Sequence, residues 1–267
     1  MKKNLLAVIT VGMSLFIISC SSTKEVESIP VEERYARAKA LFDNENYLEA
    51  IEEFKIVTVQ FQGSDFSDDA QFYLAECRFI RGEYILASAE YDNLSRLMPN
   101  SPFTTIARYK RAESFYLLSP KSQLDQKYTR YAVDNFQTYI EYSPTDSLVG
   151  DAEKKITELT EKLAQKMFDG GKLYFRMEYY KAANSYFEKL IQDYHDTQFV
   201  DDGLLWKAKC QTERKNFADA EQTLNELRTK FPETDLTEEI TELQKKILED
   251  KAEYEEDQRS RKLSVNE

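Results

Sequence analysis

The chain has 267 residues, of which 36 are Lys or Arg and 48 are Asp or Glu, for a formal net charge of −12. So acidic a surface does not neutralise a phosphate backbone and repels anionic headgroups, which excludes nucleic-acid binding and electrostatic membrane docking as main functions. Only 7 glycines and 6 prolines interrupt the chain, favouring long helices, and 17 tyrosines and 16 phenylalanines against one tryptophan put aromatic packing at the centre of the core.

At the N-terminus, Lys2 and Lys3 precede an apolar run from Leu5 to Ile18 that ends at Ser19-Cys20. The run is shorter than the ~20 residues of a membrane-spanning helix, and its layout reads as a signal peptide over residues 1–19. Ile17-Ile18-Ser19-Cys20 resembles the bacterial lipobox, with Ile17 where leucine is commoner. Cys20 is therefore the expected lipidation site and new N-terminus. Loss of Lys2 and Lys3 takes the charge to about −14, so acyl chains, at ~0.8 kcal/mol per buried CH₂, must supply the hold on the membrane. Residues 20–31 form a short polar linker.

From residue 32 a pattern repeats. Ala50 with Phe54 returns as Ala87 with Tyr91, Ala132 with Phe136, Ala183 with Phe187, and Ala220 with Leu224. Three residues beyond each bulky position stand Val57, Leu94, Tyr139, Leu190 and Leu227, completing the i, i+4, i+7 face of a helix. Upstream, Ala38, Ala75, Ala112, Gly171 and Ala208 are small residues where a paired helix can approach closely, and Tyr47, Tyr84, Tyr128, Tyr180 and Phe217 open the second helix of each copy. The anchors are 37, 45, 51 and 37 residues apart, near the ~34 of a tetratricopeptide unit. The expected fold is all-α: a tetratricopeptide-type solenoid of helical hairpins with a C-terminal capping helix. Repeats 1–3 occupy 32–145, with an inserted loop around Ser119 to Lys127. A long helix, roughly Asp151 to Arg176, and repeats 4 and 5 occupy 146–233. The segment 234–267 should be a capping helix opened by an Asp235-x-x-Glu238 capping box, with Leu236, Ile240, Leu243, Ile247 and Tyr254 inward and a frayed charged tail after Tyr254.

No residue set points to catalysis, a metal or a cofactor. His195, the single histidine, sits at a turn position held by proline in other copies. Cys77 and Cys210 occupy equivalent places in distant repeats, which cannot bring their Cα atoms within the ~7 Å of a disulfide, so both read as buried apolar groups. The pairs Asp68-Asp69 and Asp201-Asp202 begin first helices, where negative charge compensates the helix dipole. Gly170-Gly171 reads as a close-packing site. One feature points to binding: Tyr35, Phe72, Tyr109 and Phe168, followed seven residues later by Phe42, Phe79, Tyr116 and Phe175, form one aromatic stripe on the first helices. The stripe is either a groove for an extended peptide, with Tyr35, Phe42, Phe72, Phe79, Tyr109 and Tyr116 as its contacts, or the seam that packs each unit on the next.

Three stretches go beyond a generic repeat: Met98-Pro99-Asn100-Ser101-Pro102 followed by Ala107-Arg108-Tyr109; Asp125-Gln126 with Thr129, Arg130 and Ala132; and Gln192-Asp193-Tyr194-His195-Asp196-Thr197. On these the chain, from Cys20 to about Leu227, resembles the BamD family, lipoproteins of the machinery that inserts β-barrel proteins into bacterial outer membranes. The resemblance implies a scaffold, not an enzyme, anchored in the outer membrane on its periplasmic face. Its implied partners are BamA, other barrel-assembly subunits and unfolded outer-membrane proteins, with substrate received by the N-terminal repeats and BamA held by the C-terminal ones. Two positions depart from the family: Ser101 replaces a common histidine, and Tyr186 stands where well-known members have an arginine that contacts BamA, so an interface there would rest on aromatic burial. A general periplasmic tetratricopeptide adaptor usually has an N-terminal coiled coil and no lipobox. A nutrient-binding lipoprotein with helical repeats is typically a longer chain with large loop insertions.

Overall fold

The computed structural model describes residues 29–265. Among them every regular element is a helix: α1 (Val31–Asp43), α2 (Tyr47–Gln60), α3 (Ser67–Ile80), α4 (Tyr84–Leu97), α5 (Thr104–Leu118), α6 (Lys127–Tyr142), α7 (Val149–Arg176), α8 (Tyr180–Asp193), α9 (Val200–Glu213), α10 (Phe217–Lys230) and α11 (Thr237–Val265). Each packs chiefly on its neighbours in sequence, so the hairpins stack in chain order.

The repeat supplies the core. Ala50, Ala87, Ala132, Ala183 and Ala220 are fully buried where second helices meet first helices, and the bulky residues four and seven positions later fill the space beside them. Burial of side chains such as Phe54, Tyr91, Phe136 and Phe187 stabilises each unit by roughly 1.5–3 kcal/mol per side chain. Small residues set the spacing between helices. At Gly171 an added Cβ would lie 2.7 Å from the Phe187 ring, which occupies the space a side chain would need.

Two kinds of turn alternate. Within a repeat, the first helix ends on a residue in the left-handed region: Glu45 (φ 62°), Gly82 (74°), Glu178 (62°) and Lys215 (62°). The bonds Asn46 N–H to Leu41 C=O (2.9 Å) and Glu45 N–H to Phe42 C=O (3.0 Å) show the nested pair of a Schellman ending, and the same pair recurs at the other three turns. Repeat 3 lacks this ending because Ser119 is extended and leads into the insertion. Between repeats, the turns after α2 and α4 are closed by Ser67 Oγ donating to the Phe61 carbonyl (2.9 Å) and Thr104 Oγ1 to that of Met98 (2.9 Å).

Helix α7, 28 residues and about 42 Å long, closes repeat 3 with Ala152, Ile156 and Leu159 and opens repeat 4 with Ala164 and Phe168. Helix α11 covers α9 and α10 with Ile240, Leu243 and Ile247, and the Tyr254 ring lies 6.0 Å from Phe217. Two local expectations are corrected here. The start of α11 is organised by Thr234, whose hydroxyl accepts the Leu236 N–H (3.3 Å) and donates to Asp201 (2.9 Å), in place of a box built on Asp235. After Tyr254 the chain does not fray: α11 continues to Val265, supported by the i, i+4 pairs Glu255–Arg259 (3.9 Å) and Asp257–Arg261 (3.0 Å).

Candidate binding surfaces

The aromatic stripe lies where neighbouring hairpins meet. Tyr35 stacks on Phe66 at 5.0 Å, Phe42 meets Tyr47 and Tyr73 at 5.6 and 5.0 Å, and Phe72 stacks on Phe103 at 4.6 Å. Phe79 packs on Tyr84 at 5.4 Å beneath the Lys110 ammonium, 4.4 Å from its centroid. Tyr109 packs edge-on against Phe136 and Tyr139, and Tyr116 against Phe136. Each ring thus touches the second helix of its own repeat, the following repeat, or both. Tyr109 is 5% exposed; Tyr35, Phe42, Phe72, Phe79 and Tyr116 are half-buried and keep part of their surface open to solvent.

Polar clasps lie over this seam. Ser101 donates to Asp68 at 2.8 Å, and Thr234 to Asp201 at 2.9 Å, so the first acidic residue of each Asp pair ties its helix to the turn one repeat later. The paired carboxyls Asp69 and Asp202 are raised above the ordinary value by burial and then by their acidic neighbours. Where Ser101 replaces a histidine common in the resembled family, a neutral hydroxyl makes the contact.

A denser cluster joins α5 to α7. Lys155 Nζ donates to Tyr109 Oη (2.7 Å) and Glu113 (3.0 Å), pairs with Asp151 at 3.0 Å, and lies over the Tyr109, Tyr116 and Phe136 rings at 5.0, 5.3 and 5.7 Å. Tyr109 also donates to Asp151, and Tyr116 to Glu158 at 2.7 Å. Burial opposes the Lys155 charge, but hydrogen bonds to Tyr109, Asp151 and Glu113 outweigh it and raise its pKa. Burial and the bond to Asp151 push the Tyr109 phenol up to about 12, while bonds from Tyr109 and Lys155 hold Asp151 below the usual carboxyl value.

The inserted loop is pinned from both sides. Gln126, 1% exposed, donates to the carbonyls of Lys121 (2.8 Å) and Leu124 (3.0 Å) and accepts from Thr129 (2.6 Å). From α7, Lys162 donates to Ser119 Oγ (3.0 Å) and Lys166 to the Leu124 carbonyl (2.7 Å). The stretch Asp125-Gln126 with Thr129 is thus a self-bonded turn. Lys155, Lys162 and Lys166 went unnoticed in the sequence, although their i, i+7, i+11 spacing puts them on one helix face.

In repeat 4, the Tyr186 ring lies over Gly170 and 5.1 Å from Tyr174, and burial followed by Tyr174 raises its phenol. Tyr174 also lies 6.5 Å from Tyr179, and Leu173, Met177 and Tyr179 stand about half exposed, signalled in sequence only by the i, i+4 pair Leu173 and Met177. His195 is exposed beside Asp196, 2.8 Å away. Cys77 and Cys210 are separate buried thiols, each pushed up to about 12 by burial. Cys20 lies outside the described residues. Among the described residues, no group of three or more His, Cys, Asp or Glu side chains could hold a metal ion, and no helix is long and apolar enough to cross a membrane.

Stacked hairpins, half-open seams and a covering terminal helix define a tetratricopeptide-type solenoid, and residues 202–234 match the tetratricopeptide repeat model itself. The chain belongs to the YfiO family of outer membrane lipoproteins, whose model matches residues 27–214. Among curated relatives it is 28% identical over 197 residues to the outer membrane protein assembly factor BamD of Rickettsia prowazekii, covering 73% of this chain and 78% of the relative. It is 25% identical over 251 residues to the protein of that name from Neisseria meningitidis serogroup B, covering 88% of this chain and 93% of the relative.

Proposed function

We propose that this chain is a scaffold subunit of the β-barrel assembly machinery, held in the outer membrane by acyl chains on Cys20 and facing the periplasm. The observation that carries this reading is the likeness, over 73% and 88% of the chain, to relatives named outer membrane protein assembly factor BamD. The geometry agrees with it: a rigid stack of hairpins offers partner proteins an extended surface of fixed shape.

In this reading, repeats 4 and 5 with α7, residues 146–233, hold BamA. Tyr186 and the neighbouring Leu173, Met177 and Tyr179 supply an aromatic and aliphatic seat where an arginine would otherwise make a charged contact. The N-terminal repeats, residues 32–145, receive unfolded outer-membrane proteins along the open edges of Tyr35, Phe42, Phe72, Phe79 and Tyr116, with Tyr109 as their buried support.

Affinity capture of BamA from solubilised outer membranes tests the scaffold role, with the mature chain as bait. Capture is expected for the wild type and should fall at least tenfold for a Met177→Glu, Tyr179→Ser double variant whose circular dichroism matches wild type, since both side chains are more than half exposed. No capture by the wild type would sink the scaffold reading. The anchor is tested separately: Cys20→Ala should take up no radiolabelled palmitate and should leave the membrane fraction.

A further inference from the structure

Three large apolar side chains at the ends of second helices are open to solvent: Val59 on α2 (76% exposed), Leu97 on α4 (53%) and Tyr142 on α6 (65%). They follow the anchoring alanines of repeats 1, 2 and 3 by nine or ten positions, and the same two places in repeats 4 and 5 hold Gln192, Asp193, Thr229 and Lys230. These helix ends share one edge of the solenoid with the start of α1. Tyr35 of α1 stacks on Phe66 and donates to Asp69 at 3.5 Å, Ser101 donates to Asp68, and Ser143 donates to Thr105 at 3.5 Å, so contacts run along the edge from α1 to the turn after α6.

The edge is poor in charge. From Val59 to Phe66 the one charged residue is Asp65, and from Leu97 to Phe103 there is none. From Tyr142 to Leu148 the one is Asp146, whose carboxylate accepts from Tyr139 and from the Leu148 N–H. The Arg108 guanidinium lies 4.3 Å from the Tyr142 ring centroid, a pairing of aromatic body and cation that suits the boundary between hydrocarbon and headgroups. Ile29, the first described residue, comes nine positions after Cys20, so a lipid on Cys20 holds it within about 30 Å of the bilayer. Leu48, Ile85 and Leu86 are exposed too, but at the opposite end of the hairpins, a helix length of about 20 Å away.

We infer that this edge of repeats 1–3 rests on the leaflet that carries the lipid anchor, with Val59, Leu97 and Tyr142 entering the interface and repeats 4 and 5 standing clear of it. The occupant of the edge is the lipid surface. The contact is apolar, so it forms on a chain whose net charge repels headgroups. The inference rests on the Cys20 anchor proposed above: three side chains are too few to hold the protein on a membrane alone, but the tether keeps them at high effective concentration beside it. It adds a heading, in which the turns between repeats 1–3 face the bilayer and the turns within them face away.

The test places the lipidated mature chain in vesicles of phosphatidylethanolamine and phosphatidylglycerol, with the polarity-sensitive dye NBD on a cysteine introduced as Asn100→Cys, Glu49→Cys or Thr229→Cys, all exposed positions. Cys77 and Cys210 are fully buried and stay unlabelled. Emission from position 100 should shift to the blue and rise about twofold on reconstitution, while that from positions 49 and 229 stays unchanged. V59S/L97S/Y142S, with circular dichroism matching wild type, should abolish the rise at position 100 and still float with the vesicles. No rise at position 100 in a wild type that floats, an equal rise at 49 or 229, or a full rise in the triple variant would each overturn the docking. A wild type that fails to float would refute the Cys20 anchor, and the docking with it.

Discussion

Of the four first helices that end in the left-handed region, three end on residues with a Cβ, Glu45, Glu178 and Lys215, and one on Gly82. Holding an ordinary L-residue there costs about 1–2 kcal/mol, partly offset because glycine loses more freedom on folding. Each of Glu45→Gly, Glu178→Gly and Lys215→Gly should therefore stabilise the chain by about 0.5–1 kcal/mol in urea denaturation, and Gly82→Ala should destabilise it by a similar amount. Gly171 has a different role. Its backbone is ordinary helix, and an added methyl would press the Phe187 ring, so Gly171→Ala should cost about 1–3 kcal/mol in the same measurement. The sequence shows the small residue at 171 through its place in the repeat, but it gives no sign of the strained turns at 45, 178 and 215. Glutamate and lysine are everyday helix residues, and only the chain's need to reverse there selects the left-handed conformation.

At the scale of the helix, the clearest electrostatic link is between α5 and α7. Asp151 is held below its ordinary value of 3.8 first by Tyr109 and then by Lys155. A lowered carboxyl pKa means the folded chain favours the charged form, so this contribution is complete above the unfolded value near 3.8 and vanishes as pH falls through the lower folded value. The stability difference between wild type and Asp151→Asn, from urea titrations, should therefore be constant from pH 7 to about pH 5 and close below pH 4. Asp69 and Asp202, raised chiefly by burial, run the other way: their contribution improves as pH falls through their raised values toward 3.8, above the window of Asp151, so the comparison with one variant isolates the α5–α7 link. The helices themselves were legible because alanine, aromatic and leucine positions recur with a 3.6-residue period and fall on buried faces. The links between them were not. Lys155 and Tyr109 are 46 positions apart, and the insertion between α5 and α6 hides the register that brings them together.

For the whole molecule, the form of the solenoid follows from the order in which hairpins stack. The terminal cap is asymmetric: α11 covers repeat 5 as far as Tyr254, and its last turns bury little. Truncation after residue 258 should leave the unfolding free energy from urea titration within about 0.5 kcal/mol of wild type, whereas Ile247→Ala, which opens a hole under the cap, should cost about 2–5 kcal/mol. Fold class and repeat register could be read from sequence because a solenoid is built from near-neighbour contacts. The patch around Met177 and Tyr179 could not, because exposure depends on what the next hairpin fails to cover.

Because α7 belongs to both halves, its residue count sets the azimuth between them. One residue deleted between Thr160 and Leu163 would swing repeats 4 and 5 by about 100° about the helix axis and draw them about 1.5 Å closer to repeat 3. Seven residues added at the same place would restore the heading to within about 20° and lengthen the spacing by about 10 Å. The length of this one helix therefore works as a dial that fixes where the surfaces of the two halves point relative to each other.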